Sequence, residues 1–497
     1  MSKWCLRVFL VVSFGMCPTL AKAQSPCPHL AGNTFPNITD GMVICTVPQL
    51  YGPQGLAVED FVGPLQNSVG AGGQFVPAKN NFLLSVNGSV ASQIAVLPLV
   101  APAAGISLVL DKSLGTYVVS NDSFGPIFSE RATTVGRNRL ALGFSYQYMN
   151  FDSLDGVDLH RFPTLFLQTI IPGTTTTCDP LQATGGCGAT RDFMAAVNRI
   201  DLKINQFTAF ATFGLTRRLD VSAAVPVLTV DMTAAAESSI VPNSGEPGFL
   251  SFGFATFTNF PKSNGSCLST HTAGSTTYCD LALFSNSQRS SGIGDLTLRV
   301  KGTLREWEHS GLAAGVDIRV PTGDENNFLG TGAIGIKPFL VWSYGGRFSP
   351  HVNFGYEWNG QSVLAGDINT GTKDNLPSEF LYSAGVEAGI TKRFTATFDL
   401  IGQTLMNGPR VHLVQTLAPG ACDTPPFAGG CQNPGSPIQV TTIEGTKGTY
   451  AINNASLGLR LRPFGKFLIS ASVQIKLDDG GLRAKAIPMV SATYTLR

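Results

Sequence analysis

The chain has 497 residues, 13% of them charged, with 55 glycines and a formal net charge of +1. This balance excludes a nucleic-acid binder, which needs a basic stripe or cluster with interleaved aromatics, and no run of about 18 apolar residues is present to make a transmembrane helix. An apolar content of 43% without a helical span leaves two β classes: a glycine-rich secreted β-protein, or a transmembrane barrel whose lipid-facing residues are interleaved with polar ones.

Residues 1–23 read as a secretory signal peptide. Lys3 and Arg7 precede an apolar run, Val8 to Phe14, and Ala21-Lys22-Ala23 offers a small-x-small cleavage site. Lipoprotein processing at Cys17 is disfavoured by the preceding Phe14-Gly15-Met16. The mature chain then begins near Gln24, in an oxidising compartment. Its eight cysteines fall into sequence neighbours, Cys27/Cys45, Cys178/Cys187, Cys267/Cys279 and Cys422/Cys431. Each pair sits in a polar, Gly/Thr/Pro-rich stretch, and no C-x-x-C or zinc-spaced histidine occurs, so four local disulfides are expected and no metal.

Residues 24–136 alternate poorly and are rich in Pro and Gly, with one hairpin expected over 106–110 and 116–120. They are expected to form a plug in a barrel lumen. A periplasmic extension, or extra wall strands bringing the barrel to about 14, are the alternatives. From Arg137 the alternation is regular, and 137–497 reads as the barrel. Strands are predicted at 137–149, 204–215, 219–230, 293–304, 311–320, 333–343, 350–358, 380–390, 394–403, 450–461, 467–477 and 486–496, each near the roughly 9–11 residues that cross a bilayer at a tilt. Short connections (216–218, 305–310, 344–349, 391–393, 462–466) alternate strictly with long ones, as when short turns face the periplasm and long loops face outward. Three cysteine pairs lie in long connections. Trp342 and Tyr344 close one strand and Tyr356 and Trp358 the next, at the level of a headgroup girdle.

One parity of these strands is apolar, as in Leu296, Leu298 and Val300, or Leu142, Phe144 and Tyr146. The other carries Arg139, Asp295, Arg299, Lys301, Asp317, Arg319, Lys337, Glu357, Glu387, Asp399, Arg460 and Lys476. A cation facing hydrocarbon at the midplane of a barrel costs about 2–4 kcal/mol, so these side chains are expected to line the lumen. With both signs mixed, no strong anion or cation preference is expected.

Gly214-Leu215-Thr216-Arg217-Arg218-Leu219-Asp220-Val221-Ser222, leading to Val225-Pro226, resembles the recurrent turn of the "MetA-pathway of phenol degradation" outer-membrane proteins. Gly292-Ile293-Gly294-Asp295, Val320-Pro321-Thr322-Gly323-Asp324, Leu329-Gly330-Thr331-Gly332 and Asn353-Phe354-Gly355-Tyr356 are similar to further stretches of that family. The resemblance covers about 204–403. It implies an outer-membrane channel for uptake of small, often aromatic, compounds. One departure is the ending Tyr494-Thr495-Leu496-Arg497, where such barrels commonly end in an aromatic residue.

The remaining motifs point to no further chemistry. Gly330 to Gly335 matches G-x-G-x-x-G but enters a strand rather than a helix, so it is no dinucleotide site. The six histidines are scattered, and no Ser/His pair is placed for a barrel lipase, so an enzyme is not expected. Asp324, Glu325, Asp367 and Asp374 read as solvated loop tips rather than a cation site. The expected protein is an all-β transmembrane antiparallel barrel of the bacterial outer membrane. Lipid and lipopolysaccharide would surround it and small-molecule solutes would pass through it, with no cofactor, no nucleic acid and the oligomeric state open. The rivals are a structural or adhesive barrel with a closed lumen, and a barrel enzyme.

Overall fold

The computed structural model describes residues 127–168, 191–241, 276–368, 371–421 and 435–496 with shorter pieces between them, and in the N-terminal part 42–51, 124 and portions of 58–119. The signal peptide and Cys27, Cys187, Cys422 and Cys431 lie outside the described residues.

Twelve antiparallel strands form one closed barrel. They are β1 (Leu140–Leu154), β2 (Phe193–Gly214), β3 (Leu219–Val241), β4 (Thr276–Ile293 continued by Leu296–Glu306), β5 (Ser310–Val320), β6 (Gly335–Tyr344), β7 (Phe348–Asn359), β8 (Ser378–Thr391), β9 (Phe394–Ala418), β10 (Ile438–Leu461), β11 (Phe467–Lys476) and β12 (Ala486–Leu496). Each pairs with its sequence neighbour, and β12 closes onto β1, with Leu496 opposite Leu140 and Met489 opposite Gln147. All twelve predicted strands are present, but several run well past their predicted ends. β2, β3, β9 and β10 have 22, 23, 25 and 24 residues, about twice what a bilayer crossing needs.

The extra length belongs to a second level of the barrel with the opposite polarity. Near the short turns the outer face is apolar: Phe207 and Phe213 on β2, Leu298, Val300 and Leu304 on β4, and Val316 and Ile318 on β5 are exposed. Lys301, Thr303 and Asp317, on the alternate parity, are buried inside. A continuous belt of exposed large apolar side chains belongs in hydrocarbon, so this level spans the membrane. Trp342 and Tyr344 are exposed at its short-turn end, and the Tyr356 and Trp358 rings meet edge-on at 4.8 Å toward the long-loop end.

Farther along the same strands the parities exchange chemistry. On β2, Ile204, Leu202, Ile200 and Met194 now point inward and are buried, while Lys203 and Arg199 are exposed outside. On β3, Leu228, Val230, Met232 and Ala234 make the same change. This upper level is therefore built like a soluble protein, wet outside and apolar within.

N-terminal residues fill that upper core. Val43, Ile44, Val47, Leu50, Tyr51, Val86 and Val90 pack in one cluster with Met149, Phe151, Leu202, Met232 and Phe284. The Tyr51 ring lies edge-on to Phe284 at 4.8 Å. The predicted hairpin is present as Leu108–Asp111 paired with Thr116–Val119, a two-stranded sheet separate from the wall.

Candidate functional site

The lumen of the membrane level is lined by a ladder of ion pairs. The strand period places Arg299 (β4), Asp317 (β5) and Lys337 (β6) inward on successive strands. Arg299 donates from Nε and Nη2 to both Asp317 oxygens, at 2.6 and 2.7 Å, and Lys337 Nζ lies 3.0 Å from Asp317 Oδ2. Arg319 bonds the Asn359 side chain and sits 3.4 Å from Glu357.

A segment of the N-terminal region runs through this ladder. Phe124 and 127–135 are buried in the lumen almost throughout. Glu130 takes Lys301 Nζ at 2.8 Å and also pairs with Arg299, while Lys301 donates further to the Arg131 and Thr133 carbonyls. Across the barrel, Arg131 forms a two-nitrogen pair with Glu387 on β8, Ser129 Oγ donates to Asp399 on β9 at 3.0 Å, and Arg460 on β10 donates to the Phe124 carbonyl at 2.6 Å. At the short-turn rim Asp220 accepts the Val135 N–H. Arg299, Lys301, Glu387, Asp399 and Arg460 thus seat this segment of the chain in the lumen.

Above the segment, between it and the upper core, lies a cavity of about 230 Å³. One side carries Arg299, Asp317, Lys337 and Glu357. The other carries Met149, Phe151, Ile401, Ile452 and Ile487, with Gln403, Asn454, Gln474 and Arg483 among them, and Phe128 and Gln93 come from the N-terminal region. Its mixed lining follows from its position, because it sits where the inward parity changes from charged to apolar.

A clasp built on Asp295 holds the loop after β5. At the break in β4, Asp295 turns inward and accepts Gly323 N–H (3.0 Å), Thr331 N–H (2.8 Å) and Thr331 Oγ1–H (2.7 Å). Thr322 Oγ1 donates to the Gly294 carbonyl at 2.7 Å and accepts from Leu296 N at 3.0 Å. The approach requires glycine: a Cβ on Gly330 would lie 2.3 Å from Asp295 Oδ1 and 2.7 Å from Gly323 Cα. Three of the sequence stretches that resemble the family thus meet at one carboxylate. From this loop, Asn327 Oδ1 accepts Val43 N–H and ties it to the N-terminal part.

Among the other expected lumen residues, Arg139 lies at the short-turn rim, where its backbone bonds Gly136 and Gly214. Lys476 lies at the far end of β11, 3.2 Å from Ser153 Oγ and 2.9 Å from Asp479. Of the cysteines, Cys267 and Cys279 are joined by a disulfide, their Cα atoms 5.8 Å apart. Cys45 and Cys178 are also disulfide-bonded.

The sequence reading missed four central residues. Glu130 and Arg131 lie in a segment with no alternation to mark them. Glu379 is buried directly opposite Glu357, and it shares inward parity with Glu387 but precedes the predicted strand start. His351 is buried with Nε2 2.6 Å from Asp399 Oδ1 and Nδ1 3.7 Å from Glu387 Oε1. Its parity with Asn353 and Glu357 marks it as inward.

No curated protein matches the chain. Among solved structures, the COG4313 outer membrane channel from Pseudomonas putida F1 is similar at 11% identity and a TM-score of 0.39, covering 75% of this chain and 100% of that one. The toluene transporter TbuX of Ralstonia pickettii is similar at 9% identity and 0.25, covering 74% and 92%. A FadL homologue of Pseudomonas aeruginosa is similar at 10% and 0.28, covering 72% and 90%. These values are too low to carry an argument about function. The family model described as "MetA-pathway of phenol degradation" matches residues 197–404, the wall from β2 into β9 with the Asp295 clasp at its centre, and over that wall the chain resembles this family.

Proposed function

We propose that the protein is an outer-membrane channel for small, weakly polar solutes, aromatic compounds among them. The observation that carries this reading is the cavity at the polarity change. It offers the apolar side chains Met149, Phe151, Ile401, Ile452 and Ile487 to a ring and polar side chains to a hydroxyl. The ladder cations Arg299, Lys301, Arg319 and Lys337 all have carboxylate partners, so little net field is left to select an ion. The family match and the short-turn/long-loop pattern favour the outer membrane, with short turns in the periplasm. In this reading the protein passes solutes and is not an enzyme: among the described residues the Ser129 hydroxyl is engaged by Asp399 and Ser383 rather than by the His351 imidazole.

Proteoliposome swelling with phenol-sized neutral aromatics, sugars of similar size, and matched anions and cations tests it. Faster entry of the aromatics, with little difference between the ions, is expected. A second reading, a structural barrel with a shut lumen, is favoured by the segment 127–135 crossing the lumen. No flux of any solute would establish it in place of the channel.

A further inference from the structure

The short-turn rim carries charges that the lumen does not use. Arg217 and Arg218 lie between β2 and β3, Arg347 between β6 and β7, Lys392 and Arg393 between β8 and β9, and Arg137 just ahead of β1. All six are exposed. Among the described residues none of them forms an ion pair with a carboxylate, in contrast to the lumen cations above. Large aromatic side chains stand at the same rim, where the apolar belt ends. Phe348 next to Arg347 is 65% exposed and Phe464 in the β10–β11 turn is 68% exposed. Trp307 carries Arg305 5.4 Å over its ring. At the opposite end the exposed hairpin lysines Lys373 and Lys447 are each paired, with Glu325 and Asp374.

An aromatic ring at the end of an apolar belt sits at headgroup depth. A cation one turn farther out reaches the phosphate layer, where lysine and arginine are attracted to anionic lipid. We propose that this rim binds anionic phospholipid headgroups, of the phosphatidylglycerol class, in the leaflet on the short-turn side. The unpaired cations select by charge and the aromatic side chains hold the depth. The assignment is independent of whether the lumen conducts.

The full-length protein, reconstituted in phosphatidylethanolamine vesicles with a minor fraction of phosphatidylglycerol and excised with its annular lipid in polymer nanodiscs, provides the test by headgroup analysis. Phosphatidylglycerol should be enriched about threefold over the bulk vesicle. The Arg217→Gln/Arg218→Gln/Lys392→Gln/Arg393→Gln variant should return to the bulk ratio, while Lys373→Gln/Lys447→Gln keeps the enrichment. Heat-modifiable mobility verifies that each variant is folded. Should the fourfold variant not fold, the wild type decides: its enrichment must fall as salt rises from about 0.01 to 0.5 M, because exposed charges are screened. A bulk ratio in the wild type, enrichment that survives the fourfold change or is indifferent to salt, or capture of an acidic soluble protein without lipid enrichment would each overturn the proposal.

Discussion

Arg131 and Glu387 lie 256 residues apart in sequence and meet inside the barrel, with Arg131 Nε donating to Glu387 Oε1 at 3.1 Å and Nη2 to Oε2. Both side chains are almost wholly buried. The pair fastens the N-terminal segment to the wall facing Lys301, so the segment is held from both sides of the lumen.

Removing one partner strands the other charge, which costs about 3–5 kcal/mol in a buried pair. Arg131→Ala is therefore expected to lower the denaturant midpoint of the refolded barrel, and Arg131→Met/Glu387→Met should recover much of the loss. Arg131→Ala should also raise single-channel conductance, as the segment loosens. Unchanged conductance in a folded variant would place the segment off the solute path.

Val300→Arg and Thr297→Arg are predicted to part company. Val300 is 47% exposed on the belt, and a cation there costs about 2–4 kcal/mol at mid-depth. Thr297 lines the cavity, so an arginine there narrows the path and spares the fold. Heat-modifiable mobility and conductance together check this, and equal loss of folded barrel would refute the assignment of faces.

The clasp predicts two phenotypes at one place. Asp295→Asn replaces a charged acceptor of three hydrogen bonds, each worth about 1.5–3 kcal/mol when charge-assisted, and Gly330→Ala drives a methyl into that carboxylate. Both should expose the loop between β5 and β6 to limited proteolysis while the membrane wall stays folded. Protection equal to that of the wild type would mean that Asp295 does not hold the loop.

Cys27–Cys45, Cys178–Cys187 and Cys422–Cys431 are expected to be local disulfides like Cys267–Cys279. Closing loops of about ten residues stabilises by roughly 2–3 kcal/mol in the chain-entropy account. Non-reducing peptide mapping decides the pairing. A peptide joining Cys178 to Cys431 would be incompatible with it.

The membrane level was readable because lipid imposes one rule on every strand. Val300 and Lys301 are adjacent in sequence and opposite in environment, and only one register satisfies both. The upper level was not readable by the same rule. At Ile204 the apolar parity moves inward, so a pattern that places apolar residues outside stops there, eleven residues short of Phe193 where β2 begins. The ladder was legible as a set of inward charges, but its partners were not. Glu130 and Arg131 lie in irregular chain, and nothing local to them announces Lys301 or Glu387, more than 160 residues away.

The path of the N-terminal part constrains the order in which the molecule is assembled. Residues 43–51 lie in the upper core and 127–135 in the lumen below, and the chain leaves at the rim through Gly136 to begin β1. The seam that shuts the wall joins β1 to β12, which is synthesised last, with Leu140 against Leu496. A finished cylinder admits such a segment only by threading, which folding chains avoid. A wall that curls around a strap already in place avoids that threading, and the ion pairs to Lys301 and Glu387 with the Ser129–Asp399 hydrogen bond then template the circumference before the seam exists.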